Sequence, residues 1–312
     1  MSKALKWFMI LATLGAGSTL QSWGASSAAP GTLNYVEGQV TIAGQPVSSR
    51  SVGSIQLEPN QSLAVAHGKA EILLTPGVFL RLGDNSAVRL VSSDLADIRV
   101  ELLGGEAIVE ANQVFKDSNI RVLVSGAPVK LVKHGLYRFN AQSGQVSVLD
   151  GQAVVERDGR QVDLKKGHQI LLVNATLKPS KFDTAAVAQQ DPLYGWSRLR
   201  SEYDAEASMQ SASVVAVGGP GWWGPGWYWN PWWGMYSYLP GDGILYSPFG
   251  WPYYSPGFVY LAPGFRYGYP YGRGFVGGGR VNPAFRSGGF AAAPHAGGGF
   301  GGHGGFGGGG RR

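Results

Sequence analysis

From Gly31 to about Ala175 the chain alternates apolar and polar residues with a period of two, in short runs separated by glycine-containing turns. Successive side chains of a strand point to opposite faces, so this alternation predicts short β-strands, each with one apolar side. In "DIRVELLGGEAIVEA", Ile98, Val100 and Leu102 alternate with Arg99 and Glu101; in "FLRLGDNSAVRL", Leu80, Leu82, Val88 and Leu90 alternate with Arg81 and Arg89. One buried and one wet face throughout favours a sandwich or a flattened β-solenoid over a helix-covered parallel sheet. The glycines at 144, 151, 159 and 167 recur every seven or eight residues. Asp150-Gly151 and Asp158-Gly159 read as two-residue turns, because glycine tolerates the positive φ that such turns need.

The period changes at "DPLYGWSRLRSEYDAEASM", residues 191–209, the one good helix that the sequence offers after its first thirty residues. Asp191 can cap it and Pro192 suits the first helical position. Leu193, Trp196, Leu199, Tyr203 and Ala207 fall on one stripe. An isolated helix with Gly195 inside is marginal in water, so Leu193, Trp196, Leu199 and Tyr203 are expected to dock on the β domain. From Gly218 onward neither period persists. "GWWGPGWYWNPWWGMYSYLPG", residues 221–241, holds six Trp and three Tyr, but Gly and Pro interrupt it every few positions.

Composition sharpens that boundary. Residues 218–312 hold 30 of the 49 Gly, 11 of the 18 Pro and 25 of the 37 aromatic residues, which reads as a low-complexity tail. The first residues run from Lys3 and Lys6 through an apolar stretch, Trp7 to about Leu14, into small residues. This is the three-part pattern of a secretory leader, with cleavage after Gly24 or Ala28. The stretch falls short of the roughly 20 apolar residues that span a bilayer. The expected division is therefore a leader (1–28), a β domain (31–175), a linker with the amphipathic helix (176–217) and the tail (218–312). With no cysteine the exported chain must be held by its core rather than by disulfides. Residues 31–175 carry 14 basic and 14 acidic residues, whereas 218–312 carry six Arg and one Asp, so any basic partner-seeking surface belongs to the tail.

Catalytic signatures are absent from the sequence. His67, His134, His168, His295 and His303 are too scattered for metal spacing, and "GDNS" at 83–86 lacks the carboxylate pattern of a calcium loop. Ser125 lacks a nucleophile-elbow context. Glu101, Glu106 and Glu110 fall at outward strand positions or beside turns, where a solvated face is expected. The reading is a non-enzymatic protein without catalytic, cofactor or metal residues. In the tail, Trp222, Trp223, Trp227, Trp229, Trp232 and Trp233 suit stacking on sugars, and Arg266 and Arg273 among tyrosines suit anionic polymers. The competing reading is a segment that self-associates or packs loosely on the β domain. Arg/Gly/Phe-rich RNA binding has the right composition, but export argues against it and no nucleic-acid partner is expected.

Residues 33–175 resemble the FecR domain, the extracytoplasmic module of bacterial iron-siderophore signal transducers that also occurs in exported envelope proteins. The likeness rests on "VEGQVTIAG", on "HGKAEILLTPGVFLRLGDNSAVRL", on "LLGGEAIVEA" and "VLDGQAVVE", which are similar to the family's Leu-x-x-Gly-x-x-x-Val hairpins, and on the closing "VDLKKGHQILL". "HGLYRF" departs from it, keeping Gly135 but placing Leu136 where the family has Thr. The transducers also carry a cytoplasmic anti-sigma segment and a membrane helix before the domain, where this chain has a leader. The resemblance implies an all-β, FecR-like fold with one accessory helix, in the periplasm of a Gram-negative cell or beyond it. It implies little chemistry; the exported chain and its aromatic tail together are read as a binding or scaffolding protein toward envelope polysaccharide, peptidoglycan or a membrane or envelope protein. The alternative is an accessory of a FecR-type signalling system.

Overall fold

The alternating region folds as strands. In the computed structural model, which describes residues 28–174, 176–219 and 222–263, these are β1 (Leu33–Ile42), β2 (Gln45–Val47), β3 (Ser62–Leu73), β4 (Val78–Leu82), β5 (Ser86–Asp94), β6 (Asp97–Gly104), β7 (Glu106–Ala111), β8 (Asn119–Val124), β9 (Ala127–Leu131), β10 (Gly135–Asn140), β11 (Gln145–Asp150), β12 (Gln152–Arg157), β13 (Arg160–Lys165), β14 (His168–Leu171) and β15 (Ser180–Lys181). They join in the order β13-β12-β9-β8-β6-β5-β3-β4-β7-β10-β11-β14-β15, with β1 against β3 and β2 against β1. The sheet folds over at β3, which pairs with β5 through Ser62–Val65 and with β4 through Ala70–Leu73. At this bend Gly38 of β1 lies opposite Gly68 of β3, and a Cβ on either would run into the other strand's backbone.

Two layers result, and their inward side chains form one core. Val88, Val100, Val122, Val129 and Val155 enter it from the first layer, and Leu80, Val109, Phe139, Val146 and Ile170 from the second. The chain passes back and forth between layers: β5–β6 in the first, β7 in the second, then β8–β9, β10–β11, β12–β13 and β14–β15 in turn. Because β7 leaves the first layer, β6 and β8 come together in parallel. Apart from the β7–β8 connection, the crossings fall at or beside glycines. Gly105 (φ +68°) turns β6 into β7, where a Cβ would strike the Asn85 carbonyl, and Gly151 (φ +94°) turns β11 into β12. Asp150-Gly151 is therefore a corner between layers and not a hairpin, since β11 pairs with β10 and β14 while β12 pairs with β9 and β13. "LLGGEAIVEA" is a corner too, its two strands pairing with different neighbours. Asp158-Gly159 is a true hairpin turn, with Arg157 opposite Arg160 and both central residues left-handed. The Tyr137 hydroxyl joins two corners, donating to the Lys133 carbonyl and accepting from Gln152 N–H (3.3 Å); burial pushes its pKa up to about 12.

The expected wet face exists on the first layer, where Arg99, Arg121 and Lys130 share one row beside exposed or half-buried neighbours. On the second layer it does not. Leu73, Phe79, Arg81, Ile108, Glu110 and Leu136 point outward there, yet all are buried. What covers them is the rest of the chain: α1 (Thr184–Gln190), α2 (Pro192–Ala216) and two hairpins, β16 (Gly226–Asn230) with β17 (Met235–Leu239) and β18 (Ile244–Tyr246) with β19 (Pro252–Tyr254). α1, capped by Asp183, is too short to show a stripe in the sequence.

α2 starts as expected, with the Asp191 carboxylate accepting from Leu193 N (2.8 Å) and Tyr194 N (3.1 Å), but it runs 25 residues and buries a different face. That face is polar: Ser197, Arg200, Ser201, Asp204, Ser208 and Ser211 are buried with Leu193, Ala205, Ala207 and Ala212. Leu193 packs among Ile108, Leu136 and Leu149. Trp196 is half-buried against Tyr35, with ring centroids 5.5 Å apart, and Tyr203 sits beside Trp233 at 5.7 Å. Leu199 is 38% exposed and lies off the buried face. Of the apolar stripe, Leu193 and Ala207 share the buried face, Trp196 and Tyr203 flank it and Leu199 lies off it; small serines admit the helix close to the sheet and charged partners hold it there. Among the described residues no helix is long and apolar enough to cross a membrane.

Candidate binding layer and its ionic anchor

β3 and β4 set Glu71 opposite Arg81 on the outward side of the second layer, and β7 adds Glu110 opposite Phe79, two residues before Arg81 on β4. α2 lays Arg200, Ser201 and Asp204 over them. Arg81 Nε donates to Glu71 Oε2 (2.7 Å), Nη1 to Glu110 and to the Ser197 carbonyl (3.1 Å), and Nη2 to Asp204 Oδ2 (2.9 Å). Arg200 donates to Glu71 Oε1 from Nη2 (3.0 Å), to the Asn34 carbonyl (3.2 Å) and to the Met235 sulfur (3.0 Å), and its Nη2 lies 3.3 Å from Asp204 Oδ1. Ser201 donates to Glu110 Oε1 at 2.7 Å. The side chains of Glu71, Arg81, Glu110 and Asp204 have no exposure and Arg200 only 5%. The guanidinium groups also sit against rings, Arg81 at 5.3 Å from Phe79 and Arg200 at 5.0 Å from Tyr35.

Three carboxyls thus face two guanidiniums without water. If all were ionised the site would hold one uncompensated negative charge, which burial penalises heavily. The acids respond unequally. Burial pushes Asp204 well above the usual carboxylate range and raises Glu110, despite the opposing pull of the arginines. For Glu71, burial is outweighed by Arg200 and Arg81, which hold its carboxyl below the usual range. Burial works against the Arg81 charge, but Glu110, Glu71 and Asp204 outweigh it and keep the guanidinium protonated. A proton on Asp204, the form toward which burial pushes it, would balance the cluster. With each member engaged and none facing solvent, the cluster ties β3, β4, β7 and α2 together and offers no surface to a substrate.

Asn34 extends the tie to the tail. Its Oδ1 accepts from Tyr236 N (2.8 Å) and its Nδ2 donates to the Tyr236 carbonyl (3.1 Å) and to Glu71 Oε1 (2.8 Å), so one side chain of β1 stands in for a strand partner to β17. Asn230 does the same for α2, donating to the Ala207 carbonyl (3.0 Å) while its Oδ1 accepts from Trp232 N and Trp233 N in the hairpin turn. Trp227 and Tyr238, cross-strand partners, pack inward; Trp227 meets Phe79 edge-on at 4.9 Å and Tyr238 at 5.8 Å. Trp229 packs against Tyr236 (5.1 Å) and over Gly53, where a Cβ would collide with its indole.

The six tryptophans singled out in the tail therefore divide. Trp227 is buried and Trp229 and Trp233 are half-buried, while Trp222 (38%), Trp223 (93%) and Trp232 (69%) are exposed. The expectation of a segment without strand structure is corrected for residues 222–263; Arg266 and Arg273 lie outside the described residues. Glu110, expected on a solvated face, is the most enclosed of the three glutamates considered, and Glu101 and Glu106 pair with Arg89 and Arg138. Among the described residues no group of His, Asp and Glu is placed to hold a metal ion. The alternation treated Arg81 and Glu110 as wet and did not single out Glu71. A signal to the contrary was present: their outward neighbours Leu73, Phe79 and Ile108 are apolar, which marks a covered face.

No protein-family profile and no curated protein matches this chain. Among solved structures, two crystal structures of a candidate anti-sigma factor from Parabacteroides distasonis ATCC 8503 are similar to part of it, at 22% and 21% identity, each covering 41% of this chain with a TM-score of 0.36. The chain spans 64% and 62% of the length of those proteins.

Proposed function

We propose that this chain is a non-enzymatic binding and scaffolding protein of the cell envelope, in which the β core and α2 hold an aromatic layer, residues 222–263, as the attachment face. The observation that carries the reading is the make-up of that layer. Its rings are pinned from beneath by Asn34, Asn230 and the ionic cluster, yet Trp222, Trp223 and Trp232 are left outside, and Asp242 is its one charged residue. Rings held rigid before binding lose little freedom on contact, which favours affinity. The adhesive role expected of an unstructured tail passes to a folded surface. Its buried tryptophans serve the fold and its outward ones meet the partner.

The test is co-sedimentation of the chain from residue 25 with washed envelopes of the source cell, beside a Trp223→Ser/Trp232→Ser variant. Both changed residues are exposed, so the fold should survive. The parent is expected in the pellet and the variant mostly in the supernatant. Equal partition of both proteins would remove the aromatic layer from the binding role.

A further inference from the structure

We infer that the aromatic layer is a lipid-surface face and that its partner is the headgroup region of an anionic bilayer; this rests on the reading just given and names its target. Three observations point there. First, the exposed residues of the layer are amphipathic rings and aliphatic side chains: Trp223, Trp232, Tyr246 (60%), Tyr260 (56%) and Leu261 (54%). A sugar platform needs hydrogen-bonding side chains beside its rings to meet hydroxyl groups. Here those side chains turn inward: Asn230, Ser237, Ser247 and Ser255 are buried, and the exposed Asp242 caps its own loop at Gly243 N (2.8 Å). Trp and Tyr with one polar atom on an apolar body are the residues that settle at a membrane–water boundary.

Second, the layer carries a single charged residue, Asp242, while the sequence that continues from it is basic. Residues 264–312 carry Arg266, Arg273, Arg280, Arg286, Arg311 and Arg312 and no acidic residue. The described chain ends at Pro263, directly after Ala262, which is buried with Val259, Leu239 and Tyr254 in the layer. An apolar contact surface joined to a polybasic segment is the two-signal arrangement that gives stable attachment to anionic lipid, where either signal alone is marginal.

Third, the other end of the described chain meets the same layer. Ala28 packs against the cluster of Trp227, Tyr236, Tyr238 and Tyr253, so the described chain begins, as it ends, beside the layer. The first layer's charged outer face is then turned away from the lipid and free for other contacts.

The experiment uses the chain from residue 25 with vesicles of phosphatidylglycerol and phosphatidylethanolamine, vesicles of phosphatidylcholine, peptidoglycan sacculi and extracted surface polysaccharide. Binding is read by sedimentation, and ring insertion by quenching of tryptophan emission with brominated lipids. Two full-length variants accompany it: Trp223→Ser/Trp232→Ser, and one with the six arginines changed to Gln. The parent should bind anionic vesicles about tenfold or more tightly than neutral ones. The arginine variant should lose that preference, and the tryptophan variant should lose most of the quenching and of the binding that survives high salt. Circular dichroism checks that both variants keep the strand signal. Failure to bind anionic vesicles, or binding without quenching in the parent, overturns the inference. Retention by sacculi or polysaccharide instead of vesicles overturns it too while leaving envelope attachment standing; failure in the whole-envelope assay as well removes both.

Discussion

Arg81 and Arg89 occupy equivalent outward positions in the same alternating stretch, and the structure makes their replacement by methionine very unequal. Arg81→Met removes the partner that Glu71, Glu110 and Asp204 share, leaving Glu110 with Ser201, Glu71 with Arg200 and Asn34, and Asp204 with Arg200 alone. Breaking a buried ion pair by deleting one member costs about 3–5 kcal/mol, because the remaining charge is stranded without water. At roughly 2–4 °C per kcal/mol for a chain of this size, the melting temperature should fall by about 6–20 °C. Arg89 pairs with Glu101 at the surface, with side chains 44% and 25% exposed, and such pairs contribute about 1 kcal/mol or less. Arg89→Met should therefore shift the melt by only a few degrees. Both are read by thermal unfolding followed by circular dichroism at pH 7. If the two variants melt within a few degrees of each other, the cluster is neither sealed nor shared as described, and the argument that it anchors α2 fails.

Three further outcomes follow from the same geometry. Asp204 has a folded pKa raised above its unfolded value, so its contribution is full at pH below the unfolded pKa and is lost as pH rises through the folded one; Asp204→Asn, which cannot ionise, should gain on the parent in melting temperature between pH 5 and pH 8, and a constant difference would contradict the retained proton. Glu71 runs the other way, its lowered pKa giving stability above the unfolded value that is lost in acid, so the parent should weaken on the acid side as well. Gly105→Ala should lower stability by more than about 1 kcal/mol while Gly104→Ala, where an added Cβ meets nothing, should not; equal melts would refute the corner geometry. Trp227→Ala should cost about 3–5 kcal/mol in a denaturant titration and Trp223→Ala almost nothing, since one ring is buried against Phe79 and the other is in solvent.

The strands of the core and the start of α2 were legible because each rests on a local signal: period two in "DIRVEL", glycine at the turns, Asp191 before Pro192. Which layer each strand joined was not legible, since a glycine corner and a glycine hairpin look alike; Asp150-Gly151 and Asp158-Gly159 differ only in what their flanking strands pair with. The covered face was hidden for another reason. Arg81, Glu71 and Glu110 are polar and outward, as solvent-facing residues are, and their burial depends on Arg200 and Asp204, distant in sequence and for Arg81 and Glu71 more than a hundred residues away. The hairpin of the tail did carry a trace. Trp227, Trp229, Tyr236 and Tyr238 keep a period of two on either side of Asn230–Gly234, but the density of Gly and Pro around them masked it.

The claim on which the rest depends is that the aromatic layer is folded as one unit with the β core. From residue 28 onward every tryptophan lies in α2 or between Trp222 and Trp251, whereas the strands that dominate circular dichroism belong to the core. Unfolding the chain from residue 25 in urea while recording tryptophan emission and strand dichroism on the same samples compares the two directly. Coincident transitions, with one midpoint and one slope, are the predicted result. Tryptophan emission that shifts to its unfolded value at clearly lower urea than the loss of strand signal would show the layer coming away from an intact core, and would contradict the account.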